Sequence, residues 1–192
     1  MISIVILAAG KSTRMPGRNK LLADVEGIPM IRRVVQTALD SKVDEVIVVV
    51  GWEEEKIRSV IAQLNCKIVV NRNFEEGQSS SVKAGVAGVN PSSRAVLILP
   101  GDVAKIEASS IDIVIEKYDQ GVCLIVIAGH QGRSGHPILL DKQLFPEIAH
   151  INEETFGLKA VVKKHRSEVC LVETGSWNVL KDVDTAADLK EL

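Results

Sequence analysis

Short apolar runs alternate with amphipathic stretches along most of the chain. Ile2-Ser3-Ile4-Val5-Ile6-Leu7 predicts a buried strand. So do EVIVVVG at 45–51, CKIVVN at 66–71, RAVLILP at 94–100 and VCLIVIAG at 122–129. Their continuous β-branched character is that of strands covered on both faces rather than on one. Between them lie segments with apolar residues at helical intervals. MIRRVVQTALD (30–40) follows Pro29, a residue suited to a helix start. EEEKIRSVIAQL (53–64) places its acids in the first turn, where the helix dipole favours them. SSSVKAGVAGV (79–89) predicts a helix weakened by two glycines, and SSIDIVIEKY (109–118) a further helix.

The last third is less regular. GHQGRSGHP (129–137) reads as a glycine-rich loop leading into ILLD. FGLKAVVKKH then predicts a helix, EVCLVE a strand and TAADLKEL a terminal helix. Repeated strand–helix units imply an α/β protein, with a mostly parallel sheet between two helical layers in a Rossmann-like, three-layer αβα arrangement. The 192 residues suit one domain, spanning 1–192. In such sheets ligands gather beyond the carboxyl ends of the strands. Three distinctive loops fall there: residues 8–20, 71–81 and 100–104.

Charge narrows the ligand class. With 23 Lys and Arg against 25 Asp and Glu, the net charge of −2 offers no general attraction for nucleic acid or an anionic membrane. Locally the balance reverses, because Lys11, Arg14, Arg18 and Lys20 occur within residues 11–20 without an acid, which suggests an anion site. Cys66, Cys123 and Cys170 are odd in number, widely spaced and set in apolar runs, which predicts unpaired, buried thiols. With no cleavable leader or membrane-length apolar run, a cytoplasmic location is expected.

Gly10-Lys11-Ser12 ends like a P-loop, G-x-x-x-x-G-K-S/T, but the position of the first glycine is taken by Val5 inside a strand. No G-x-G-x-x-G is present either, so a nicotinamide or flavin fingerprint is missing. What remains is Leu7-Ala8-Ala9-Gly10, then Ser12-Thr13-Arg14-Met15, then Lys20. This resembles the signature loop of the nucleotidyltransferases that build sugar nucleotides and nucleotide-modified cofactors. Small residues there let the backbone approach a base and sugar, and cations neutralise phosphates. Glu76-Gly77-Gln78-Ser79-Ser80-Ser81-Val82-Lys83-Ala84-Gly85 and Arg133-Ser134-Gly135-His136-Pro137 are similar to segments of the molybdenum cofactor cytidylyltransferase branch.

The resemblance implies that fold and the following roles. Arg14, Lys20 and Asp102 would be catalytic; Leu7, Ala8, Ala9, Gly10, Ser12, Lys20, Gly77, Ser80 and Ser81 would hold the nucleotide. Arg133, Gly135 and His136 would meet the acceptor, and Asp102, Asp182 and Asp184 would carry Mg²⁺. The chain departs from the family after Asp102, where Val103-Ala104 replaces Met/Gln-Pro, and at Ala186-Ala187, which replaces Pro-Glu. Thr185-Ala186-Ala187-Asp188 also fits a helix capping box, a competing use of that segment. The implied reaction is transfer of CMP from CTP to a phosphorylated pterin, molybdenum-molybdopterin, with a molybdoenzyme or its maturation chaperone receiving the product. Ala9 in place of a second glycine is expected to crowd a purine. A guanylyltransferase, a transferase for another phosphorylated metabolite, and a non-catalytic nucleotide or cofactor carrier remain open alternatives.

Overall fold

The computed structural model describes residues 1–12 and 19–190. Its elements run β1 (Ile2–Ala8), β2 (Asp24–Val25), β3 (Ile28–Pro29), α1 (Met30–Leu39), β4 (Glu45–Val50), α2 (Glu54–Ile61), β5 (Lys67–Val70) and α3 (Gln78–Ala87). Then come β6 (Ala95–Pro100), α4 (Ala108–Asp119), β7 (Ile125–His130), β8 (Arg133–Asp141), α5 (Phe145–Ile148), α6 (Leu158–Lys164), β9 (Val169–Glu173) and α7 (Ala186–Lys190). Seven strands form one sheet in the order β5-β4-β1-β6-β8-β7-β9. All neighbours pair in parallel except β8, which is antiparallel to both β6 and β7. The expected mostly parallel αβα architecture is the one observed.

Strand β1 shows why. Every residue in it is buried. Alternate side chains feed opposite helical layers, since strand side chains project to opposite faces in turn. Ile4, Ile6 and Ala8 join the core that includes α1, α2 and α4; Val5, Leu7 and Ala9 join the core that includes α3, α5 and α6. The one polar residue, Ser3, donates to Glu45 Oε2 at 2.6 Å and lies 2.6 Å from Ser93 Oγ. Helix α3 packs on the sheet through Gly85, where a methyl group would lie 2.3 Å from Val5 Cγ1. Among the described residues no helix is long and apolar enough to cross a membrane.

Two expectations are corrected. Residues 129–137 are not a loop: β7 and β8 form a hairpin turning at Gln131-Gly132, and β8 already begins at Arg133. Gln131 and Gly132 have φ of 50° and 75°, the positive angles of a tight two-residue turn. The glycines and Pro137 argue locally against a strand, but pairing along β6 and β7 overrides that preference. The cysteines are not all unpaired either. Cys123 and Cys170 form a disulfide with a Cα–Cα distance of 5.9 Å, and Cys66 is the free thiol. The sequence hides this because parallel pairing of β7 with β9 brings together residues 47 positions apart.

Candidate active site

Strands β1, β5 and β6 release their chains at one edge of the sheet, and the three loops anticipated from sequence meet there. The first loop returns through Asn19 and a short helical turn, Lys20–Leu22. Asn19 is buried, and its side-chain oxygen accepts from the Leu21 amide at 3.1 Å. The Lys20 amide donates to Ser12 Oγ at 3.2 Å, so Ser12 ties both ends of the loop together. The backbone of Lys20 is thereby anchored while its side chain extends into the site.

Asp102 follows β6 by way of Gly101, whose amide donates to the Leu7 carbonyl at 2.9 Å. A Cβ on residue 101 would sit 2.8 Å from that same oxygen, so close approach of β1 and β6 requires glycine here. The Asp102 carbonyl accepts the Val183 amide at 3.0 Å, which docks residues 182–184 beside it. Lys20 Nζ lies 2.6 Å from Asp102 Oδ2 and 3.1 Å from Asp184 Oδ1. Burial pulls the Lys20 ammonium down, but the two carboxylates outweigh it and hold its pKa above the usual lysine value.

The capping box anticipated in the C-terminal segment is present. Asp188 accepts from the amides of Asp184 and Thr185 at 2.9 and 2.7 Å, and its own amide donates to Thr185 Oγ1 at 3.2 Å. That capping leaves the Asp184 carboxylate turned to Lys20. Asp182 is exposed one residue before buried Val183.

His136, on β8, approaches Asp102 closely enough for the carboxylate to act on it. Its burial lowers the imidazole pKa and Asp102 only partly opposes this, which favours the neutral ring. Gly135 packs against the Val179 carbonyl, and Arg133 is exposed where β8 begins.

The nucleotide-side residues divide by exposure. Leu7, Ala8 and Ala9 are buried, whereas Gly10 is exposed with open space beside its Cα. A Cβ built on Gly51 would lie 2.9 Å from both Ala9 Cβ and Phe74 Cβ. The buried Ala9 methyl thus lies beside the Gly51 backbone. Lys11 pairs with Glu75 and lies 5.8 Å from the centre of the Phe74 ring, linking the first loop to the second. Gly77, at φ 99°, precedes α3 and lies against Glu153. Ser80 and Ser81 are buried, and both hydroxyls accept from Asn71 Nδ2, at 2.8 and 3.0 Å. Ser80 Oγ in turn faces the Gly77 and Asn73 carbonyls at 2.8 and 2.9 Å. Arg14 lies outside the described residues.

Sequence reasoning missed two organising residues. Asn71 is the buried hub of the second loop, because its side-chain oxygen also accepts the Asn73 amide at 3.0 Å. Glu153 accepts the Ser79 amide at 2.6 Å, closing the start of α3 from 74 residues away. Asn71 ends a recognisable strand beside a serine run, a signal that could have found it. Nothing local marks Glu153.

The donor set suits a divalent cation. Asp102 Oδ1 is buried and has no hydrogen-bond partner among the described residues. An unpartnered hard oxygen beside a second carboxylate is what Mg²⁺ or Mn²⁺ takes. Among the described residues no group of three or more protein ligands converges. That pattern fits an ion held by one or two carboxylates and completed by substrate phosphates.

The model of a MobA-like NTP transferase domain matches residues 4–169. Bifunctional protein GlmU of Leifsonia xyli is 33% identical over 123 residues, covering 62% of this chain and 25% of that protein. The 3-deoxy-manno-octulosonate cytidylyltransferase of Francisella tularensis is 36% identical over 85 residues, 44% of this chain and 32% of that one. The chain thus spans about a quarter to a third of the length of these relatives. Rv0371c of Mycobacterium tuberculosis superposes with a TM-score of 0.83 at 25% identity, covering 99% of this chain and 95% of that one. A second structure of Rv0371c, a complex with manganese, superposes with a TM-score of 0.79 at 23% identity, over 100% of this chain and 97% of that one.

Proposed function

This chain belongs to the MobA-like NTP transferase family, and from that premise we propose that it transfers CMP from CTP to the terminal phosphate of molybdenum-molybdopterin, releasing pyrophosphate. The observation that carries the reading is the Lys20–Asp102–Asp184 cluster at the carboxyl ends of β1 and β6, one cation between two carboxylates. Likeness to a cytidylyltransferase supports CTP as donor, and the resemblance of Arg133 to Pro137 to an acceptor-side segment supports a phosphorylated acceptor. The acceptor phosphate is already ionised at neutral pH, so no protein base is needed when its oxygen attacks the α-phosphorus in line.

In this reading the chain positions the reactants and neutralises charge. Loop 8–12 lays its backbone along the nucleotide, and Gly10 permits close approach. Lys20, together with Arg14, balances the triphosphate. Gly77 opens the second loop to the nucleotide, while Ser80 and Ser81 set the shape of that loop. His136 offers a hydrogen-bonding nitrogen on the acceptor side, with Arg133 and Gly135 on the same strand. Asp102, with Asp184 and Asp182, would hold Mg²⁺, which supplies charge stabilisation for the phosphates when bound. The product would pass to a molybdoenzyme or its maturation chaperone.

Thermal unfolding with CTP, GTP, ATP and UTP, each with and without Mg²⁺, tests the donor. A nucleotide at about 100 times its Kd adds about 2.7 kcal/mol. The largest metal-dependent rise is expected with CTP, followed by pyrophosphate release with molybdenum-loaded molybdopterin. A preference for GTP would move the chain to guanylyl transfer.

A further inference from the structure

We infer that the Lys20 ammonium is a resident counter-ion: it fills the cation position between Asp102 and Asp184 in the free protein, so a divalent cation must displace it to enter, and a nucleotide's phosphates ease that exchange by receiving the ammonium. Binding of divalent cation and of nucleotide are then coupled through one side chain. The inference rests on the reading above that these carboxylates take a divalent ion.

The geometry is that of a bridged pair. Lys20 Nζ contacts one oxygen of each carboxylate, at 2.6 and 3.1 Å. The three side chains retain 16%, 18% and 34% of their exposure, so the charges are only partly screened by water. The two acids come from segments 82 residues apart, and the ammonium offsets their mutual repulsion. A metal ion entering between them would meet a like charge a few ångströms away.

The protein also shows how the exchange can occur. Asp102 uses Oδ2 for Lys20 and leaves Oδ1 buried without a partner among the described residues, so one oxygen is set aside while the other is engaged. The Lys20 backbone is fixed by Ser12 and by the Asn19-capped turn. Only its four-carbon stem needs to swing, and the loop it belongs to is the one read as holding the triphosphate. The nucleotide thus brings the phosphates that receive the ammonium and complete the metal's coordination.

Mn²⁺ alone is the probe, with free ion counted by its electron paramagnetic resonance signal. The wild-type protein should bind it weakly, and Lys20→Met should bind it more tightly by a factor in the range of such couplings, about 5- to 150-fold. Asp102→Asn should abolish binding in both backgrounds. Because Lys20→Met could alter the fold, a second measurement uses the unmodified chain. Lys20 acetylation by acetic anhydride, read by mass spectrometry, should be slow in the free protein and faster in saturating Mn²⁺. Equal Mn²⁺ affinity of wild type and a folded Lys20→Met, or Lys20 labelling indifferent to Mn²⁺, would overturn the inference while leaving the transferase reading intact. Failure of either protein to bind Mn²⁺ even with CTP would overturn both.

Discussion

Gly135 of β8 passes so close to Val179 that a Cβ on residue 135 would lie 2.1 Å from the Val179 carbonyl oxygen. The turn Trp177–Leu180 is thus pressed against the strand that carries His136. Backbone on both sides leaves no flexible side-chain end to give way. Gly135→Ala should cost about 2 kcal/mol, within the range for overpacking. The melting temperature should fall by about 4–8 °C. Calorimetry of the variant checks this; an unchanged Tm would mean that β8 and the turn separate freely.

Lys20→Ala and Asp102→Ala remove the two ends of the central ion pair. Each should lower kcat by about 100-fold, near 3 kcal/mol in the barrier, as for loss of one oxyanion donor. Pyrophosphate release under saturating CTP and Mg²⁺ is the assay. Full turnover in both variants would show that catalysis lies elsewhere.

Asn71→Ala leaves two buried serine hydroxyls and the Asn73 amide without their shared partner. A lost buried hydrogen-bonding group costs about 1–3 kcal/mol. The second loop should loosen, so KM for the nucleotide should rise while kcat changes little. Steady-state kinetics with varied CTP separates these from a general loss of folded protein, which would lower the apparent kcat and leave KM unchanged.

His165 joins α6 to neighbouring turns, with Nδ1 2.8 Å from Glu168 and Nε2 2.9 Å from Glu147. Glu168 first and Glu147 second raise its pKa above the usual histidine value. The raised folded-state value means that the stabilisation is fully present below about pH 6.5, the unfolded value. It fades as pH rises through the folded pKa. Partly exposed pairs contribute about 0.2–1 kcal/mol. Wild type should therefore melt about 1–3 °C above His165→Gln at pH 5.5, and the gap should close by pH 9. A gap constant across that range would assign His165 a packing role alone.

What the sequence determined by itself is what local spacing encodes. Continuous apolar runs such as 45–51 specify buried strands, and i, i+3, i+4 patterns such as 30–40 specify helices facing a core, wherever these elements end up. Strand–helix alternation then implies parallel pairing, and parallel pairing places the loops after β1, β5 and β6 at one edge. Lys20 and Asp102 were legible for that reason, each sitting in a loop the topology sends there.

Tertiary structure decided the pairings that cross the chain. Lys20 meets Asp184 from 164 residues away, Glu153 reaches the Ser79 amide, and Cys123 meets Cys170, because strand order and helix docking set these distances and no local spacing does. The β7–β8 hairpin formed against its composition, since ladder hydrogen bonds to both β6 and β7 outweigh the weak propensity of glycine. Ala9 shows the same division: its small size was visible in the sequence, but only the fold showed that its methyl group is buried beside Gly51.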